Sequence, residues 1–221
     1  MSIASRPFRS AACLLLSAIL LAAVAQAEPP GNAPGWKSMF DGKSLQGWKK
    51  TAFGGEAEVT VQDAQLVIAM GSPMSGITWT AEFPKIEYEI SLEAMRVTGS
   101  DFFCGLTFPV GDSPCSFIVG GWGGGVVGLS SIDGSDASEN ETTKYQEFKN
   151  GEWHAIRVRV SKDKIEAWLD KKQMVDLPTK DRRISIRPEV ELSRPLGIST
   201  YATTAALRDI KVRRLGTEEK K

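Results

Sequence analysis

The 221-residue chain has a single histidine and three cysteines, one of which, Cys13, falls in an N-terminal apolar run. Two cysteines and one histidine beyond that run cannot build a Cys/His zinc cluster. Any Ser-His-Asp or Cys-His mechanism would depend on His154 alone. Net charge is also missing, since 27 Lys plus Arg balance 27 Asp plus Glu. With no basic run interleaved with aromatics, nothing favours a nucleic-acid partner. Past residue 27 no apolar run approaches the ~20 residues of a membrane-spanning helix, and no long stretch carries a 3.6-residue apolar stripe.

The first 27 residues read as an address. Arg6 and Arg9 precede the Leu/Ala-rich run from Ala11 to Ala25, and Ala25-Gln26-Ala27 puts small residues where a signal peptidase cuts. A chain starting at Glu28 is expected to be periplasmic or secreted, with no membrane span in its mature form. Residues 28–35 form a Pro/Gly arm, 36–215 a single domain without linker or internal repeat, and 216–221 a charged tail. Cys104 and Cys115, separated by "GLTFPVGDSP", read equally as a disulfide and as two buried thiols.

What the chain does have is alternation. Ile86, Tyr88, Ile90, Leu92 and Ala94 alternate with Glu87, Glu89, Ser91 and Glu93, which predicts a strand with its apolar face buried and Glu87 and Glu89 outward. The same period pairs His154, Ile156, Val158 and Val160 with Ile165, Ala167 and Leu169 in a hairpin turned by "SKDK". Further β-like runs separated by Gly, Pro, Asp and Ser point to an all-β fold, a two-sheet antiparallel jelly-roll sandwich. The polar stretch from Ser130 to Lys149 reads as a loop over one rim.

"FDGKSLQGW", Phe40 to Trp48, resembles the opening of the 3-keto-disaccharide hydrolase family, and "ITWTAEFPKIEYEISLEAM", "GEWHAIRVRVSKDKIEAWLDKKQMVDL" and "LGISTYATTAALRDIKVRRL" are similar to its later segments in order. The resemblance covers nearly the whole chain after the leader. It implies a concanavalin-A-like sandwich, with Phe40, Leu45 and Trp48 anchoring the lead-in and Gly42 and Gly47 turning it. It also implies a 3-keto-glycoside hydrolase or lyase that abstracts the C2 proton and eliminates the C1 substituent. The partner would be a small saccharide or a polysaccharide. The family's Gln, acidic and His positions near the end are replaced here by Ser199, Thr200 and Tyr201. That departure keeps a non-catalytic carbohydrate-binding module open as an alternative.

The candidate residues follow from these constraints. With histidine scarce the base would be a carboxylate, and the enolate would need Arg, a metal or backbone N–H donors. Glu191 and Arg194 in "RPEVELSRPLG" are the catalytic candidates because they precede the strand where the resemblance implies the family's site. Trp122, set among glycines, and Tyr201 are candidate sugar platforms, with Asp101 and Ser199 as further substrate-binding candidates. Asp133, Asp136 and Glu139 crowd oxygen atoms into one loop, which reads either as a calcium-type ligand set or as a solvated loop. His154 shares a face with Ile156 and Val158, the pattern of a packed histidine rather than a catalytic one. Glu87, Glu89 and Glu93 share one strand face, where residues two apart lie roughly 7 Å apart, within the ~5–9 Å of paired glycosidase carboxylates, so they read either as a glucanase set or as a solvated strand face.

Overall fold

From residue 35 to residue 216 the alternating patterns become strands, and helix is confined to one 3₁₀ turn, Pro188–Ser193. The computed structural model describes these residues together with Met1; the proposed leader, the arm up to residue 34 and the tail from residue 217 lie outside the described residues. In chain order the strands are β1 (Lys37–Ser38), β2 (Trp48–Lys50), β3 (Val59–Gln62), β4 (Gln65–Ile68), β5 (Met74–Trp79), β6 (Tyr88–Gly99), β7 (Cys104–Val110) and β8 (Ser113–Gly121). They continue with β9 (Val126–Ser130), β10 (Lys144–Tyr145), β11 (Trp153–Val160), β12 (Lys164–Leu169), β13 (Lys172–Pro178), β14 (Gly197–Tyr201) and β15 (Thr203–Arg214). One sheet runs β13-β12-β11-β6-β15-β4-β3, with β1 paired to β15, and the other runs β10-β9-β8-β7-β14-β5-β2. Their pairings are antiparallel, which gives an all-β two-sheet sandwich.

One core fills the space between the sheets. Tyr88, Ile90 and Leu92 from β6 and Ile156 and Val158 from β11 are buried in the same cluster as Leu106, Phe117, Leu129 and Ile198 of the second sheet. Burial of each such side chain is worth ~1.5–3 kcal/mol. The Tyr88 hydroxyl donates to the Pro109 carbonyl at 2.6 Å and so ties the sheets together. The opening stretch packs as the residue types require. Trp48 is buried and donates its indole N–H to the Met39 carbonyl at 2.8 Å. Gly47 has φ +83°, and a Cβ there would lie 2.4 Å from the Trp79 ring.

Two expectations on β6 are corrected. Ile86 is exposed, because it precedes the strand and Glu87 then turns the chain at φ +54°. Glu89 does point away from the core, yet it is only 1 % exposed: Arg157 and Arg213 close over it as ion pairs. Arg157 in turn lies over the Trp168 ring, 3.7 Å from its centroid.

The predicted hairpin forms between β11 and β12, with Val160 opposite Ile165. His154 is packed as expected. Its Nδ1 lies 3.1 Å from Asp170 Oδ2, its ring contacts Phe103 and Phe148, and Nε2 has no partner. Cys104 and Cys115 are free, buried thiols. Cys104 pairs with Val119, and Cys115 with Phe108, so the two cysteines sit four registers apart, ~13 Å along the strands. A disulfide needs Cα atoms within about 7 Å. Burial pushes both thiols up to about 12. Neither is expected to react with a thiol-specific disulfide reagent at pH 8 until guanidinium unfolds the chain; reaction of the native protein within minutes would contradict this burial.

Candidate functional site

The second sheet turns one face to the core and the other to a set of covering segments. On β8, Ser116 and Ile118 point away from the core while Phe117 and Val119 point into it. In register across this outer face lie Gly76, Ser199, Gly105, Ile118 and Gly128, followed by Thr78, Gly197, Thr107, Ser116 and Ser130. The glycines allow close approach. A Cβ on Gly105 would meet the Phe102 ring at 3.1 Å, on Gly197 the Ser193 carbonyl at 2.6 Å, and on Gly128 the Ala137 carbonyl at 3.1 Å.

Between these covers lies a cavity of about 340 Å³, near the lower end of the ~300–1,000 Å³ range of small-molecule sites. Ser116, Ile118 and Ser130 supply its floor, and Phe102, Trp122 and Tyr201 supply aromatic walls. Trp122 sits at φ +48° in the turn between β8 and β9, which is closed by Gly124 and Gly125 N–H bonds to the Gly121 carbonyl. It is 41 % exposed, and Tyr201 at the end of β14 is 40 % exposed. Tyr201 rests on Phe102, with ring centroids 5.9 Å apart.

The charged side chains on the wall are Asp101, Arg187 and Glu189. Arg187 donates to Asp136 Oδ2 at 2.9 Å and to Glu189 Oε1 at 2.8 Å, bridging the loop after β9 to the 3₁₀ turn. The Arg187 guanidinium holds the Glu189 carboxyl below the usual carboxylate range, and Glu189 in turn raises Arg187. Asp101 accepts from the Phe102 N–H at 2.7 Å and from the Gly123 N–H at 2.8 Å, one bond on each oxygen.

The structure thus brings Trp122, Tyr201 and Asp101 to one cavity. Ser199 lies outside it, buried in the sheet and donating to the Gly105 carbonyl at 3.3 Å. Glu191 and Arg194 are exposed, pair with each other at 2.6 Å and do not line the cavity. Sequence reasoning chose the second glutamate of "PEVEL" where the cavity takes the first. No local signal separates them, since Glu189 and Glu191 both flank the buried Val190. Ser116 and Ser130 were also missed, although each is a polar break in an apolar strand.

The calcium-type set does not assemble. Asp133 is held by the Arg183 N–H and by Arg182, which keep its carboxyl low. Asp136 pairs with Arg187, and Glu139 is exposed. Among the described residues no three His, Cys, Asp or Glu side chains gather as metal ligands. The loop nonetheless has a structural task, since its Ala137 and Thr142 cover Gly128 and it pairs through β10 with β9. Of the three carboxylates offered for a glucanase, Glu87 precedes β6 and accepts the Lys162 N–H, while Glu89 and Glu93 lie on the outer face of the opposite sheet, bonded to Arg157, Arg213 and Arg208.

The two antiparallel sheets form a sandwich of the glucanase or jelly-roll type, the fold shared with the solved structures below. Within that class the chain belongs to the 3-keto-alpha-glucoside-1,2-lyase-like domain family, whose profile matches residues 35–213. Among solved structures it is similar to a laminarinase from a Flavobacterium species, at 14% identity over 81% of this chain and 98% of that one, with a TM-score of 0.54. The carbohydrate binding module CBM66 from Bacillus subtilis matches at 12% identity over 76% and 95%, TM-score 0.51. Crh5 transglycosylase matches at 12% identity over 82% and 84%, TM-score 0.56. At these identities the likeness is one of fold. No curated protein matches the sequence significantly. No helix among the described residues is long and apolar enough to cross a membrane.

Proposed function

We propose that the cavity takes a small saccharide oxidised at C3 and that Glu189 removes its C2 proton. The observation that carries this reading is the Arg187–Glu189 pair on the wall of a pocket flanked by Trp122 and Tyr201. A sugar ring stacks its C–H face on the aromatic walls, and its hydroxyls meet Ser116 and Ser130 on the floor. The ketone acidifies the C2 proton, so a carboxylate base suffices. As the proton moves to Glu189, negative charge develops on the C3 oxygen, and Arg187 is the cation placed to receive it. The enolate then collapses to the ketone, the C1–C2 double bond forms, and the C1 substituent departs with its bonding pair, taking up the proton held by Glu189 to leave as the alcohol and restore the carboxylate.

The pairing also supplies a timing device. While Arg187 bonds Glu189, the carboxylate is a weak base. When Arg187 turns to the C3 carbonyl oxygen of the bound sugar, Asp136 still holds its other nitrogen and Glu189 loses its cation, which raises its basicity before the proton is taken. The test uses methyl 3-keto-α-D-glucoside in deuterated water. The wild-type chain is expected to exchange the C2 hydrogen and to leave unoxidised methyl α-D-glucoside unlabelled. Binding of either sugar with no exchange would overturn the lyase reading.

A second reading, a non-catalytic saccharide-binding domain, is favoured by one observation: Asp101 has each oxygen engaged by a backbone N–H. Only Glu189 is then left as a base in the cavity. The same exchange measurement separates the two readings.

A further inference from the structure

We infer that Asp101 is a positioning residue that sets the Trp122 platform against Tyr201, with the buried Arg96 as its support; this rests on the saccharide reading of the cavity. Asp101 lies on the wall, yet its carboxylate is spent on the protein. Oδ2 accepts the Gly123 N–H, the bond that follows Trp122 in the turn, and Oδ1 accepts the N–H of Phe102. Trp122, Gly123 and Gly124 all have positive φ, at +48°, +84° and +107°. For Trp122 such a backbone costs of order 1–3 kcal/mol and persists only where neighbours hold it. Asp101 is the side chain that holds it from outside the turn.

The same segment controls the opposite wall. The Phe102 carbonyl accepts the Tyr201 N–H at 3.1 Å while its ring carries the Tyr201 ring. Asp101 itself is fixed by Thr203, whose hydroxyl accepts the Asp101 N–H at 3.2 Å and donates to its carbonyl at 3.1 Å. Beneath lies Arg96, 5 % exposed, donating to the Phe148 carbonyl at 2.6 Å and to the Asp101 carbonyl at 3.4 Å. A Cβ on Gly124 would stand 2.9 Å from the Arg96 guanidinium, so the turn rests on that side chain. A buried guanidinium without a carboxylate side chain bonded to it is costly in a fold. Here it braces both the Asp101 segment and the Trp122 turn.

The experiment is a double-mutant cycle in affinity for methyl 3-keto-α-D-glucoside, using Asp101→Ala, Trp122→Ala and the double variant. If Asp101 acts through Trp122, each single variant weakens binding about tenfold and the double variant is no weaker than Trp122→Ala within about twofold. Additive losses would show that Asp101 does not act through the Trp122 platform and would overturn the inference. Amide hydrogen exchange at Gly123 is measured alongside. It is expected to be protected in the wild type and in Trp122→Ala, and to speed up at least tenfold in Asp101→Ala. An unchanged Gly123 rate would refute the positioning role whether or not the sugar binds. A wild-type protein that binds no sugar while Gly123 still responds would refute the saccharide reading alone.

Discussion

Replacing Glu189 with glutamine is expected to lower C2-hydrogen exchange by at least about 10²-fold, the usual contribution of a positioned general base, with little change in affinity. Glutamine keeps the length of the side chain and an oxygen for Arg187, so the cavity wall is preserved while the base is lost. Glu191→Gln is the control, since Glu191 is exposed and bonded only to Arg194. If exchange survives in Glu189→Gln and disappears in Glu191→Gln, the base has been misplaced by two residues. The pH dependence has a definite sign. Arg187 holds the Glu189 carboxyl below its ordinary value of 4.5, so the ionised form that the proposed reaction needs is already complete at neutral pH. kcat/KM is therefore expected to stay flat from pH 7 down to that ordinary range and to fall only in stronger acid, as Glu189 is protonated. A fall centred near pH 6–7 would identify a different base.

The second large effect concerns stability. Ile90 is fully buried, in register with Val158 on one side and Val212 on the other. Ile90→Asp places an unpaired carboxylate there and is expected to abolish cooperative folding, seen as loss of the thermal transition by circular dichroism. Glu89→Gln next to it is also severe. Uncovering a buried partner of Arg157 and Arg213 costs roughly 3 kcal/mol, a fall in Tm of about 6–12 °C for a domain of this size. Glu93→Gln, on the same face but with 34 % of its side chain exposed, is expected to stay within about 1 kcal/mol. Equal shifts from Glu89→Gln and Glu93→Gln would mean that Glu89 is solvated after all.

That contrast shows how much the sequence disclosed. The faces of β6, β11 and β12 were legible because alternation is local, and Ile90, Ile156 and Val158 can face only the core. Glu89 was misread because a glutamate under arginines and a glutamate in water are the same letter. Its partner Arg213 lies 124 positions away, and nothing local connects them. Trp122 and Tyr201 could be picked out as large aromatics beside glycine or at a strand end, without a core role in the pattern. Arg187 and Glu189 could not, since the cavity joins β8, β9, β14 and the 3₁₀ turn, and a three-residue period over six positions is too short to orient. The cysteine pair was left open because spacing in the chain does not reveal register, and register is what separates the thiols.

The filled glycine positions also decide what shape of ligand has access. An open furrow across a sheet would let an internal stretch of a polymer lie along it from edge to edge. In this molecule the furrow is stopped on both flanks of Ser116 and Ile118, by Ala137 seated on Gly128 and by Phe102 and Ser193 seated on Gly105 and Gly197. The site is a berth and not a channel, so a glycan bound as proposed would reach its floor by a terminus.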